Sequence, residues 1–519
     1  MERFLTRHRS LVTCVLSGFD RLVFRGTLIP LVRERGMHTL LTRSGIRLLD
    51  FKSFVQRTSE RVKAAALQEA TKQDRPVRYL ESGHVDKEAF ARQLLQEHPV
   101  ERGLICAMTT VEPCRSFEYH RSQDHRERGL KLRSRKCLHI YKYYLHPLFG
   151  FMNARIQTWF PFNIQICLNG REWLGRQLAR KRRTDFKRYD NCFTWLGNPK
   201  LAQRLMDEQL ETDWAHELTA VARRLNPLHA EIFKPWPQDY YWSAYQSEWA
   251  TDLLFENPKA LASVYPALVE HATLHFASPD VMRFLGRKGT HGNFTGELVS
   301  SFKHRPEGVR VKHWANGNSI KMYDKAGSVL RIETTIAKTA DFKVFRPLTN
   351  DPKGKFAWRP LRKGIADLHR RAEVSQRSNA TYLDALAAVD DETPLSTLFD
   401  QVCEPATYRG RRVRALRIGQ ADDVELLKAI SHGEFATAGF RNRDLRRLLH
   451  PNGRHVTKEQ ERRLSAKVGR QLRMLRAHGL IQKVQKSHLY RLTDKGRLLA
   501  AALFAARTAN IKQLIGRAA

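Results

Sequence analysis

Carboxylates standing beside apolar, strand-like runs are the residues of this chain best suited to chemistry. Asp20 lies between two such runs, 12–19 and 22–31, and Glu112, Asp190, Glu248 and Asp252 stand beside others. Phosphoryl transfer with divalent ions needs carboxylates that converge, because oxygen ligands must hold the ion while it polarises a phosphate or activates water. Spacing along a chain does not establish convergence, so each acid also has the ordinary reading of a solvated or helix-capping group. A second set is denser. Strand alternation in 318–336 puts Lys321, Tyr323, Arg331 and Glu333 on one face, with Ile320, Met322, Leu330 and Ile332 on the other. On the residues alone this charged face is better read as cross-strand ion pairs of a structural sheet than as a reaction centre.

Aromatic residues interleave with cations in two places, Trp159-Phe160-Pro161-Phe162 with Arg155 and Arg171, and Tyr240-Tyr241-Trp242 with Tyr245 and Trp249. Such surfaces stack unpaired bases, but aromatic side chains gain the most from burial, so both sets are expected in the core. The glycines of Gly286-Arg-Lys-Gly-Thr-His-Gly lack the spacing of a P-loop or of a dinucleotide fingerprint, and neither ATP nor NAD is expected.

The charge balance narrows the partners. Across 519 residues, 90 Lys and Arg stand against 53 Asp and Glu, a net charge of +37. An excess of this size repels itself unless a polyanion meets it, so DNA and/or RNA are the expected partners. Residues 401–519 carry 26 Lys and Arg against 9 Asp and Glu, which makes this last quarter the most charge-dense part of the chain. The seven cysteines form no Cys-x-x-Cys pair, which argues against a zinc knuckle and for reduced thiols in a cytoplasmic protein. No apolar run approaches the ~18 residues of a membrane span. The run from Leu11 to Phe19 continues into Asp20-Arg21 without a cleavage pattern, so no membrane association is expected.

The elements that must position these groups follow from periodicity. Runs 12–19 and 22–31, 103–110, 137–145 and 155–168 have the β-branched and aromatic content of strands. Segment 54–73 carries Val55, Val62 and Ala66 on one helical stripe, and Asn169-Gly170 turns the chain into another helix. Residues 200–300 read as mostly helical. Segments 309–314, 319–323 and 329–336, joined at Asn316-Gly317 and Ala326-Gly327, read as a three-stranded antiparallel meander, since Asn-Gly supplies the positive φ of a tight turn. Segment 364–388 is helical, and Asp390-Asp391-Glu392-Thr393-Pro394 reads as a linker.

The last hundred residues have a definite order. Segments 422–432 and 443–449 read as helices, and Thr457 with Gln460 three positions on forms a capping box for a third helix that ends at Gly479. Leu464, Val468, Leu472 and Leu475 form its apolar stripe, with Arg463, Lys467 and Arg470 on the opposite side. Two short strands, 480–484 and 489–492, enclose a basic tip carrying Lys483, Lys486, His488 and Arg491, and Thr493 starts a closing helix. That is the order of a winged helix.

Four resemblances attach to these residues. Leu475-Arg-Ala-His-Gly-Leu-Ile-Gln-Lys-Val and Tyr490-Arg-Leu-Thr-Asp-Lys-Gly-Arg resemble the helix–wing–helix phrase of MarR-like regulators. The resemblance implies that Arg463, Lys467 and Arg470 face DNA in the major groove, with Lys483, Lys486, His488 and Arg491 near phosphates at the wing. Lys321-Met-Tyr-Asp-Lys followed by Leu330-Arg-Ile-Glu is similar to a phrase of some rolling-circle replication initiators. It implies Tyr323 as a nucleophile on a phosphodiester, with Glu333 or Asp324 as metal ligand or acid–base, although the His-x-His pair of the commonest such nucleases is absent from this chain. The position of Asp20 resembles that of the first metal-binding Asp in ribonuclease-H-like nucleases. Finally, Phe160-Pro-Phe, Asn169-Gly-Arg-Glu-Trp, Asp190-Asn-Cys-Phe, Gln246-Ser-Glu-Trp-Ala-Thr-Asp and Asn318-Ser-Ile-Lys-Met-Tyr-Asp-Lys resemble a widespread, uncharacterised, multi-copy bacterial family over about 150–350. Multiple near-identical copies imply a mobile element, and the family supplies no catalytic residue.

The expectation is an α+β multidomain protein: a mixed α/β domain over 1–200, a helical domain with the β-meander over 201–389, a linker and basic segment over 390–419, and a winged helix over 420–519. Its expected function is nucleic-acid binding, with metal-dependent nuclease or strand-transfer activity at Asp20, Tyr323, Asp324 and Glu333. A divalent metal such as Mg is the cofactor if it is a nuclease. The alternatives are a non-enzymatic winged-helix DNA-binding regulator and an RNA-binding component of a ribonucleoprotein.

Overall fold

The computed structural model describes residues 1–82, 84–121, 128–181, 184–274, 276, 278–286, 298–305, 308–348, 351, 354–387, 395–432, 435, 439–450, 457–484 and 487–508. The chain has a mixed α/β fold. It divides into two compact units, one of residues 16–250 with 362–372, the other of residues 1–15, 251–361 and 373–519. The expected linker 390–394 and the glycine-rich stretch after Gly286 lie outside the described residues. No helix among the described residues is long and apolar enough to cross a membrane.

The first unit is built on seven strands. They are β1 (Val12–Thr27), β2 (Val77–Leu80), β3 (Gly103–Arg121), β4 (Arg128–His146), β5 (Gly150–Gln157), β6 (Ile164–Asn169) and, after a small hairpin of β7 (Phe186–Tyr189) and β8 (Cys192–Leu196), β9 (Tyr241–Phe255). Their order in the sheet is β9-β1-β6-β5-β4-β3-β2, with residues 16–27 of β1 and 241–250 of β9 belonging to this unit. The β1–β6, β6–β5, β5–β4 and β4–β3 pairs are antiparallel and β2 runs parallel to β3.

Several helices pack against this sheet. Phe51–Lys72 buries Val55, Val62 and Ala66, the stripe expected from the sequence. From it Glu69 accepts a 2.7 Å hydrogen bond from the buried ammonium of Lys142 on β4. Lys87–Glu97 is started by Asp86, whose carboxylate accepts from the amides of Glu88 and Ala89 at 3.0 and 3.1 Å, and it buries Ala91 and Leu94. Asn169 caps the helix Gly170–Lys181 in the same way, through the amides of Arg171 and Glu172.

Three expectations are corrected here. The run 12–19 and the first part of 22–31 form one continuous strand, Val12–Thr27, with a 3-10 turn at Ile29–Val32, so Asp20 is a mid-strand residue rather than a loop acid between two strands. Segment 155–168 is two strands, because the chain turns at Trp159–Phe162, where the proline at 161 has no amide to donate and Phe160 and Phe162 bury themselves instead. Residues 200–300 contain the fifteen-residue strand β9. Its last seven residues are buried without alternation, and that pattern does not separate a buried strand from a buried helix.

The second unit carries four further strands. Strands β10 (Leu298–Arg305), β11 (Gly308–Ala315), β12 (Asn318–Lys325) and β13 (Val329–Ile336) form an antiparallel series, followed in order by residues 251–255 of β9 and 12–15 of β1. The meander over β11 to β13 is the one the sequence predicts. Asn316 and Gly317 have φ of +52° and +87° at its first turn. β10 extends the meander by a fourth strand. Met322, Leu330 and Ile332 pack in a core with Leu253, Leu268, Tyr382 and Leu386.

Beyond residue 394 a separate core forms. It gathers Val424 and Leu427 from Ala421–Ile430, Leu445 from Asn442–Leu449, Val468, Leu472 and Leu475 from Lys458–Ala477, and Leu499 from Asp494–Thr508. Between the last two helices runs a hairpin, Ile481–Lys483 with Tyr490–Leu492. Thr457 and Gln460 exchange both capping-box hydrogen bonds, at 3.3 and 3.0 Å, and Gly479 ends the long helix with φ of +70°.

Candidate nucleic-acid interface and carboxylate sites

The capping box and the apolar stripe fix the rotation of helix Lys458–Ala477, and with it the direction of its cations. Val468, Leu472 and Leu475 are buried, so Arg463, Lys467 and Arg470 are exposed. Arg463 shares a 2.6 Å ion pair with Glu459 one turn away, with both side chains about three-quarters in solvent (78% and 74%). Pairs so exposed contribute little and exchange readily for a phosphate. Lys467 and Arg470 have no ion pair among the described residues. Arg462 and Arg473 are exposed on the same helix and widen the basic surface. The sequence reading missed them because they flank the polar stripe rather than lie at its centre. On the hairpin Lys483, His488 and Arg491 are exposed, while Lys486 lies outside the described residues.

Of the expected carboxylates in the first unit, two come together. Asp20 on β1 and Glu248 on β9 each offer an oxygen within 4.8 Å of the other. Asp20 is buried, and both of its oxygens accept from the amide of Asn191, at 3.0 and 3.1 Å, at the tip of the β7–β8 hairpin. Glu248 is half-buried and accepts from Gln246 at 3.2 Å. Two carboxylates this close repel when both are ionised, and a divalent cation relieves that repulsion while gaining oxygen ligands. Asp190, exposed at φ of +50°, serves the same turn through its backbone. Glu112 is occupied differently: Tyr141 donates to both of its oxygens at 2.9 and 2.8 Å, and Lys87 and Arg155 pair with it at 3.1 and 2.9 Å. Burial raises its pKa, but these donors outweigh burial and hold the carboxyl below its ordinary value.

In the second unit the register sets Lys321 opposite Glu333 and Tyr323 opposite Arg331, as alternation predicts. The Tyr323 hydroxyl donates to Glu333 at 2.8 Å and Lys321 pairs with its other oxygen at 2.6 Å. Glu333 is fully buried. Burial pushes its pKa up, and the charges of Lys321 and Arg331 more than compensate, so it stays ionised below the usual carboxylate range. Asp324 points to the opposite side of β12 and is half-buried. Burial raises its pKa, and its amide donates to the Tyr265 hydroxyl at 3.1 Å. Asp252 is buried against Arg331. Tyr323 and Glu333 therefore meet directly, within a network of cross-strand ion pairs, and Asp324 stands apart from them.

The first unit also holds a cleft of about 610 Å³ on the face of the sheet opposite Asp20. Its floor is Tyr141, Tyr143, Asn153, Arg155, Gln165 and Cys167, its wall is the start of helix Lys87–Glu97, and Arg21 stands at its edge. Nothing in the residue pattern points to it, because its residues come from four strands and a helix far apart in the chain. Against family descriptions, curated proteins and solved structures, the chain shows no match.

Proposed function

We propose that the protein binds nucleic acid, with residues 420–508 acting as a winged helix of MarR-like type. The observation that carries this reading is the exposed row of Arg463, Lys467 and Arg470 on a helix whose other side is locked into a core, beside the exposed Lys483, His488 and Arg491 of the hairpin. A rigid row of cations displaces the counterions of a phosphate backbone, and arginine in a major groove also reads guanine. The net charge of +37 supports the same reading. The resemblance of 150–350 to a multi-copy bacterial family supports a role in a mobile element. A second reading, metal-dependent phosphodiester cleavage, is favoured by the approach of Asp20 and Glu248. A divalent ion held there would supply Lewis acidity, and the role of the two side chains is to hold it by one oxygen each. The test of the first reading is fluorescence anisotropy of a labelled 20-base-pair duplex with the full chain across a salt series. Submicromolar binding at low salt, lost steeply as salt rises, supports it. Absence of binding at low salt overturns it.

A further inference from the structure

The sheet face that carries Arg21 also carries residues that neither the winged-helix reading nor the carboxylate pair uses. In an antiparallel sheet, paired residues and alternate residues share a face. The β1–β6 register pairs Arg25 with Gln165, and the β5–β6 register pairs Arg155 with Gln165, so Arg21, Arg25, Gln165 and Arg155 lie on one side. Tyr245 of β9 joins them: the Arg25 guanidinium is 4.8 Å from its ring centroid, and the Lys363 ammonium is 5.8 Å from it. Both aromatic clusters were expected in the core. Trp242 and Trp249 are buried and Tyr240 is half-buried, but Tyr245 is 41% exposed and Tyr241 51%. Arg21, Arg25 and Lys363 are exposed as well, and none has an ion pair among the described residues. Tyrosine rings held at a surface, with Arg25 and Lys363 over Tyr245, lose apolar burial, and Arg21, whose Nε donates to Cys167 Sγ at 3.2 Å, adds positive charge further along the strand, a combination that suits a stacked base and its phosphates.

We propose that this face binds single-stranded nucleic acid, with an unpaired base against Tyr245 and Arg25 and the adjoining phosphates on Lys363 and Arg21. The proposal rests on the nucleic-acid reading above and names a second surface and substrate form for it. Arg21 and Arg25 are four residues apart on one strand, about 13 Å, which suits a polymer rather than a lone phosphate. A duplex does not fit this chemistry, because its bases are stacked on each other and unavailable to the ring.

The test compares labelled 20-nucleotide oligo-dT and oligo-rU with a 20-base-pair duplex, using the full chain and the variants Tyr245→Ala, Tyr245→Phe and Arg25→Gln. Stacking contributes roughly 1–3 kcal/mol per base on alanine substitution, about 5- to 150-fold in affinity. Tyr245→Ala is expected to weaken single-strand binding within that range and to leave the duplex within about twofold. Tyr245→Phe, which keeps the ring, retains single-strand binding, and Arg25→Gln gives the same selective loss while leaving the tyrosine in place. The oligo-dT and oligo-rU arms decide which single strand is preferred. Unchanged single-strand affinity in both Tyr245→Ala and Arg25→Gln overturns the proposal, as does an equal loss for strand and duplex. If the wild type binds duplex but no single strand, this proposal alone falls; if it binds neither, the proposed function falls with it.

Discussion

The guanidinium of Arg331 meets both oxygens of Asp252, at 2.5 and 2.9 Å, with neither side chain reaching solvent. Arg331 is on β13 and Asp252 on the end of β9 that lies in the same unit. Taking both charges out of water is costly, and the two-point geometry offsets that cost only while both partners are present. Asp252→Ala removes the two-point partner of a buried guanidinium and is expected to lower unfolding free energy by roughly 3–5 kcal/mol. The pair Asp252→Leu with Arg331→Met is expected to lose much less, since it removes both charges. Urea titration of the two variants checks the order. If the single variant is as stable as wild type, the buried pair has no structural role.

A second buried group makes stability depend on pH. His313 is enclosed beside Ser300, whose hydroxyl is 2.8 Å from Nδ1, and Tyr382, whose hydroxyl is 3.3 Å from Nε2. Burial pushes its pKa down to about 4. Below the ordinary value near 6.5 the unfolded chain takes up a proton that the native ring refuses until about 4. Stability is therefore expected to be full above about pH 6.5 and to decline between there and pH 4, by on the order of 3 kcal/mol from this residue. Melting temperatures across pH 4–8 for wild type and His313→Gln check this, the variant showing the shallower decline.

Much of this architecture is legible in the chain where one face is wet. The helices Phe51–Lys72 and Lys458–Ala477 show clean periodicity because one side meets solvent, whereas the meander is legible from its turn residues and its alternation of residue type although β13 is buried on both faces. The face of Lys321, Tyr323, Arg331 and Glu333 follows from period two alone. What fails is the interior. β9 is buried along its last seven residues and has no alternation to read, so the sequence names Glu248 as a candidate beside Asp20 without the strand that brings the two together. The exposed Tyr241 and Tyr245 were misassigned for the converse reason: aromatic type argues for burial, and only the strand's position at an open face leaves them in solvent.

The basic helix makes a quantitative prediction about salt. Each phosphate contact contributes about 0.9 to the slope of log affinity against log salt for duplex DNA. Arg470 is exposed and has no ion pair among the described residues. Arg470→Gln is expected to lower the magnitude of the slope by about 1 and to weaken binding at every sequence tested, whereas an arginine reading guanine would relax preference at a single position. Arg463→Gln is expected to have a smaller effect, because Glu459 already offsets part of the Arg463 charge in the wild type. Anisotropy at four salt concentrations measures both slopes, and unchanged slopes in both variants would remove this helix from the interface.

The carboxylate pair makes the last prediction, and it has a readout apart from catalysis. An ion that binds only the folded protein raises its stability by about 2.7 kcal/mol when present at a hundred times its dissociation constant. Magnesium or manganese is therefore expected to raise the melting temperature of the wild type, and Asp20→Asn or Glu248→Gln to abolish that rise, because each removes a charged ligand from oxygens held within 4.8 Å. In a cleavage assay on labelled DNA and RNA the same two variants are expected to lose metal-dependent activity by at least about 100-fold, as the loss of roughly 3 kcal/mol of transition-state stabilisation requires. Tyr323→Phe and Glu333→Gln belong in the same assay. Tyr323 donates its hydroxyl to buried Glu333, so removing that oxygen while keeping the ring separates a tyrosine nucleophile from water. Loss of cleavage in Tyr323→Phe, with metal stabilisation intact, assigns the attack to the tyrosine; retained cleavage assigns it to water. A wild type that neither gains stability from divalent ions nor cuts either polymer leaves Asp20 and Glu248 as structural acids and the protein as a binder alone.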